Sequence, residues 1–72
     1  MKELRNNFDK EVAFDDLNKA KNYYMPDTEE FPDEEEYAQE IEEAETLEEL
    51  AHVLNKYTDI FDNGSQYFVH EF

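Results

Sequence analysis

An α+β fold, two or three helices packed on a small β-sheet, is what this chain predicts, and three observations carry the prediction. Apolar residues recur at helical spacing through the middle of the chain, at Tyr37, Ile41 and Ala44 and again at Leu47, Leu50, Ala51, Leu54 and Tyr57. A short aromatic and β-branched run, Tyr67 to Phe72, reads as a strand. Helix punctuation stands where those patterns need it, at Pro32, Thr46 and Asn63-Gly64. With 72 residues, no internal repeat and no Gly/Ser linker, residues 1–72 form a single small acidic domain. An all-α arrangement is the alternative.

Whether so charged a chain folds is decided by its rings. Six Lys or Arg stand against twenty-one Asp or Glu, a net charge of −15. Leu, Ile, Val and Phe together number sixteen, close to the range where strong charge predicts disorder. Six Phe and five Tyr oppose that reading, because large rings remove more apolar area from water than small aliphatic groups do. A thin, ring-rich core is the expectation.

The elements follow in order. Phe8, Val12 and Phe14 suit a strand leading into a helix capped by Asp15 or Asp16, with Leu17, Ala20 and Tyr24 on its inner face. Pro26 and Pro32 each bias the preceding residue out of helix. After Pro32, Asp33 is placed to cap a helix whose first turn holds Glu34, Glu35 and Glu36, where the helix dipole favours anions. Tyr37, Ile41 and Ala44 give that helix a narrow apolar stripe. Thr46-Leu-Glu-Glu49 reads as a capping box that starts the next helix. The pattern carries it through Phe61 to a C-cap at Asn63-Gly64, the alternative being a strand at 58–61 and a hairpin turn at Asn63-Gly64.

Several chemistries find no support. There is no cysteine, hence no disulfide framework, thiolate nucleophile or Cys-ligated zinc. An EF-hand loop with Gly64 at its sixth position would start at Asp59 and place Asn63 fifth, but Phe61 and His70 fall on ligand positions three and twelve. His52 and His70 do not stand at metal-binding spacing, and His52 suits a surface or core-edge position. Ser65 lacks a nucleophile-elbow context, and no Gly-rich phosphate loop exists. Carboxylate pairs are too numerous to single one out, and a thin core builds no apolar pocket to raise the pKa of one. The chain is expected to be no enzyme and to need no cofactor or metal. No apolar run approaches the ~18 residues of a membrane span, and the first residues lack the apolar stretch of a signal peptide. Acidity repels nucleic acid and anionic lipid, so no direct nucleic-acid or membrane contact is expected. The expected location is the cytoplasm, that of the host cell if the chain is phage-encoded.

Charge is the most informative feature, because it is not spread evenly. Residues 1–26 hold five bases and five acids, and residues 50–72 one base and three acids. Residues 27–49 hold thirteen acids and no base. Helical spacing sets Glu36, Glu40 and Glu43 in one row of like charge, with Glu35, Glu42, Glu45 and Glu49 nearby, at a cost in helix stability. Were 27–49 helical throughout, they would span roughly 35 Å, one charge per ~2.7 Å. Duplex DNA carries one per ~1.7 Å of axis and a single strand one per ~3.4 Å. Solubility alone needs a net charge of about 2–8 in a small domain. A solvated face would not exclude every base, so the density favours imitation of a nucleic-acid backbone. Asp33, Glu34, Glu35, Glu36, Glu40, Glu42, Glu43 and Glu45 are the candidate contacts to a basic DNA-binding protein, with Tyr37 or Phe31 as an apolar anchor. The rival is an acidic adaptor or regulatory module that binds a non-nucleic-acid partner through its aromatics. A calcium-buffering or solubilising domain is a third reading. A homodimer would enlarge the acidic surface and help bury a thin core.

The segments Thr46-Leu-Glu-Glu-Leu50 and Tyr67-Phe-Val-His-Glu-Phe72 resemble the acidic helix and following aromatic strand of ArdA-type antirestriction modules, over about residues 46–72. The chain is far shorter than that family. In size and acidity it is also similar to phage inhibitors of CRISPR nucleases and of the nucleoid protein HU. The resemblance implies a phage- or plasmid-encoded inhibitor that occupies a DNA-binding surface; it does not name the target.

Overall fold

A segment with one apolar residue among charged ones forms the middle of the sheet. The computed structural model of the chain describes residues 1–7, 12–61 and 66–72, for 58–61 the backbone alone. Strand β1 (Lys2–Asn6) pairs antiparallel with the two-residue β2 (Ala13–Phe14) on one side and with β3 (Tyr67–Glu71) on the other. Leu4 stands opposite both Phe14 and Val69. The expected strand around Phe8, Val12 and Phe14 is thus corrected: it shrinks to Ala13–Phe14, Phe8 lies outside the described residues, and the main N-terminal strand precedes it. The reason is the one-sided alternation of β1. Leu4 and Asn6 are buried inward, while Glu3 and Arg5 face outward and pair at 2.6 Å. One buried leucine is enough when neighbours on both sides satisfy the backbone.

Three helices cover the inner face. Helix α1 (Leu17–Tyr24) starts at Asp16, whose carboxylate accepts the N–H groups of Asn18 and Lys19 at 2.8 and 3.4 Å, so Asp16 rather than Asp15 is the cap. Its end at Met25 is extended, as the following Pro26 demands. Asp27 then folds a turn by accepting from Glu29 and Glu30 through its side chain and from Phe31 through its carbonyl.

Pro32–Glu34 form a 3-10 turn that leads into α2 (Glu35–Glu43). Asp33 therefore does not cap the helix. It lies within the 3-10 turn, Glu34 is the residue before α2, and no side chain caps that end. Proline at the first position of the turn supplies the helical φ without a cap.

After Ala44, Glu45 and Thr46, α3 (Leu47–Phe61) begins. Half of the predicted capping box forms: Glu49 N–H donates to Thr46 Oγ1 at 3.1 Å, while the Glu49 carboxylate accepts from the N–H of Glu45 at 2.7 Å, one residue ahead of the N–H that the box would use. The helix continues to Phe61, the longer of the two expected courses, and no strand forms at 58–61; the C-cap at Asn63-Gly64 lies outside the described residues.

Leu4, Ala20, Ile41, Leu50 and Leu54 are sealed at the centre, with Ala44, Ala51, Val53 and Tyr57 beside them. Every helix gives the core at least one residue of its predicted apolar stripe. A radius of gyration of 11.7 Å matches the ~11 Å of a packed chain of this length. No helix among the described residues is long and apolar enough to cross a membrane.

Candidate partner-binding surface

Helix α2 sits between α1 and α3, which dictates where its carboxylates go. Its stripe of Tyr37, Ile41 and Ala44 turns to the core, so the remaining positions stand on the outside of the helical layer. Glu35, Glu36, Glu42 and Glu43 are exposed along α2, Asp33 in the turn before it and Glu45 just after it. Glu34 is half-buried. Among the described residues, no ion pair engages Asp33, Glu34, Glu35, Glu36, Glu42, Glu43 or Glu45. Five carboxylates on the nine residues of α2 give one per ~2.7 Å of its axis. The acidic third is not one rod, however. The break at 44–46 divides it between the 3-10 turn, α2 and the first turn of α3. A cap at Thr46 requires a non-helical residue ahead of it.

Glu40 differs from its neighbours. Half-buried against α3, it accepts the Tyr57 hydroxyl and the Lys56 ammonium, the latter at 3.0 Å. The bond from Tyr57 first, and that from Lys56 second, hold its carboxyl below the usual range. Glu40 thus joins α2 to α3. Glu48 is likewise occupied, by Lys2 of β1 at 2.7 Å. The Lys21 ammonium reaches the Glu42 carbonyl at 2.8 Å and ties α1 to the end of α2. Lys2, Lys21 and Lys56 thereby bind elements together, and among the described residues the outer carboxylates have no ion-pair partner.

The two candidate anchors separate. Phe31 is 52% exposed in the turn ahead of Pro32. Tyr37 is half-buried, its ring 4.8 Å from that of Tyr57, and burial pushes its phenol pKa up.

Between α2 and α3 runs a groove of about 410 Å³ with Ala44 and Val53 on its floor and Glu40, Glu43, Glu48, Glu49 and His52 on its walls. Glu48 and His52 are not among the sequence-predicted contacts, although their i, i+4 spacing on α3 puts them on one face. The apolar floor had no separate signal, since it forms only where two helices meet. Among the described residues no group of three or more His, Cys, Asp or Glu is arranged to hold a metal ion.

No protein-family model, curated protein or solved structure matches the chain.

Proposed function

We propose that this chain is a DNA-mimic inhibitor that occupies the DNA-binding surface of a bacterial DNA-binding protein, such as a CRISPR nuclease, a restriction enzyme or a nucleoid protein. The observation that carries the proposal is the line of exposed carboxylates from Asp33 through α2 to Glu45, unpaired among the described residues, while nearby lysines serve the fold. Solvation needs no such separation. The four exposed carboxylates of α2 offer a protein that grips phosphates one negative charge per ~3.4 Å of axis, the spacing of a single nucleic-acid strand. Complementary fields make such association fast and steeply salt-dependent. Phe31, at the start of the line, adds an apolar contact amid the charge.

The test uses the chain as bait in bacterial lysate, washed first at low and then at higher salt. The expected catch is a DNA-binding protein that leaves with salt and is displaced by added duplex. The exposed Phe31 supports the adaptor reading as the rival. A partner indifferent to duplex and salt, and lost on Phe31→Ala, would replace the mimic by that adaptor.

A further inference from the structure

Among the described residues, the β3 edge of the sheet is only half sealed. In the β1–β3 ladder, hydrogen-bonded pairs alternate with unbonded ones. Phe72 N–H donates to Met1 O at 2.9 Å and Asn7 N–H to Gln66 O at 3.0 Å, so in this register the bonded pairs include Glu3–His70 and Arg5–Phe68. That parity turns the N–H and C=O groups of Tyr67, Val69 and Glu71 away from β1. Asn55 of α3 takes both groups of Tyr67, its Nδ2 donating to the carbonyl at 2.9 Å and its Oδ1 accepting from the N–H at 2.7 Å. Among the described residues no hydrogen bond takes the outward backbone groups of Val69 or Glu71. Natural sheets blunt open edges with Pro, charged side chains or a bulge; β3 (Tyr-Phe-Val-His-Glu) has no Pro and no Lys, and Glu71 is its one charged side chain.

We propose that this edge pairs with the same edge of a second copy of the chain, antiparallel about a two-fold axis at His70. Val69 of each copy then pairs with Glu71 of the other, making four backbone hydrogen bonds. The plug at Tyr67 selects this register. An axis at Val69 would require Tyr67 to leave Asn55, whereas an axis at His70 uses only the open positions. Side chains agree with it. Phe68 and Phe72, 44% and 57% exposed on the face that no helix covers, come opposite each other twice across the new ladder. Aromatic cross-strand pairs are among the stabilising kind. Glu71 meets Val69 rather than a second carboxylate. The result is a continuous six-stranded sheet with both helical layers on one face, so the two acidic surfaces stand side by side. Their repulsion opposes pairing at low ionic strength and is screened at higher salt. Only two residues of each copy hydrogen-bond across this seam, so the dimer is weak and concentration-dependent.

Sedimentation velocity from about 10 μM to about 1 mM, at roughly 20 and 300 mM NaCl, spans strong and weak screening and tests this. The expected result is a sedimentation coefficient that rises with concentration and a dimer constant at least severalfold tighter at the higher salt. Val69→Pro removes an outward N–H without touching the β1 ladder, and should give a monomer with unchanged far-ultraviolet circular dichroism. Should that variant fail to fold, His70→Lys decides. Two ammoniums facing each other on the axis should abolish the dimer and leave the monomer folded. A monomer throughout the range, or a dimer that survives in a folded variant, overturns the proposal. None of these readouts involves a DNA-binding protein, so the dimer and the proposed function stand or fall separately.

Discussion

Asn55 shows how much one amide can hold. It is half-buried on α3, and its two bonds to Tyr67 fasten the last helix to the edge strand. Asn55→Ala should lower unfolding free energy by about 1–3 kcal/mol, two hydrogen bonds' worth. Urea titration reads this, and a loss of only a few tenths would mean that water replaces the amide. Glu40 gives a pH-dependent counterpart. Its carboxyl is held below the ordinary range, so the unfolded chain takes up that proton at higher pH than the folded one. The stabilisation is complete above the unfolded value of ~4.3 and fades as pH falls through the folded one. The same bond pushes the Tyr57 hydroxyl up to about 12, so at the alkaline end its stabilisation is complete below ~10 and lost as pH rises past that folded value. Tyr57→Phe should therefore cost more stability near neutrality than near pH ~3, as thermal melts at the two conditions would show. Equal losses at both would mean that the hydroxyl contributes nothing through Glu40.

Helix α2 trades stability for its charge. Glu36 lies three residues after Asp33 and four before Glu40, Glu43 lies three after Glu40, and the exposed Glu35 and Glu42 add to the field. The combined variant Glu35→Gln, Glu36→Gln, Glu42→Gln and Glu43→Gln should melt at the same temperature as the parent or a few degrees higher. Under the proposed function it should also lose the target. Retention of full inhibition would remove the acidic surface from the mechanism. Glu40 is left out because its loss would disturb the fold. At the start of α3, Thr46→Ala removes the acceptor for Glu49 N–H and should cost about 0.5–2 kcal/mol, again read by urea. The middle strand is more sensitive. Leu4 is fully buried where β2, β3 and the helices converge, and Leu4→Ala should cost about 2–5 kcal/mol. A domain of this size has only about 4–11 kcal/mol in total, so much of the variant should be unfolded by circular dichroism.

For the whole molecule, a net charge of −15 sets two opposite salt dependences. Self-repulsion works against the compact state, so added NaCl should raise the melting temperature. The same screening should weaken a basic partner's grip. A melting temperature that falls with salt would show that the pairs Lys2–Glu48 and Lys56–Glu40 outweigh the repulsion. The molecule divides its labour accordingly: the sheet and inner stripes hold it together, and the outer face of the helical layer carries the exposed carboxylates.

Composition and spacing alone determined much of this. The α1, α2 and α3 stripes, the Thr46 cap and the β3 strand were legible because each is local, a periodicity or a cap within a few residues. So was the concentration of acid in residues 27–49. The expected ring-rich core is corrected: among the described residues Tyr57 is the one ring in a buried core otherwise of Leu, Ile, Val and Ala, and Phe14, Tyr24, Tyr37 and Tyr67 pack around it half-buried. What the sequence did not reveal depends on partners distant in the chain. Lys2–Asn6 has one apolar residue and becomes the central strand only because β2 and β3 lie on either side of it. Asp33 had the residue type of a cap, but Pro32 set a 3-10 turn around it. Glu40 looked like one more member of an acidic row until α3 brought Lys56 and Tyr57 to it, sixteen and seventeen residues away. Local pattern decides which face of an element is apolar. Only tertiary packing decides which charges on the other face are already taken, because that depends on which distant side chain the fold sets within about 3 Å.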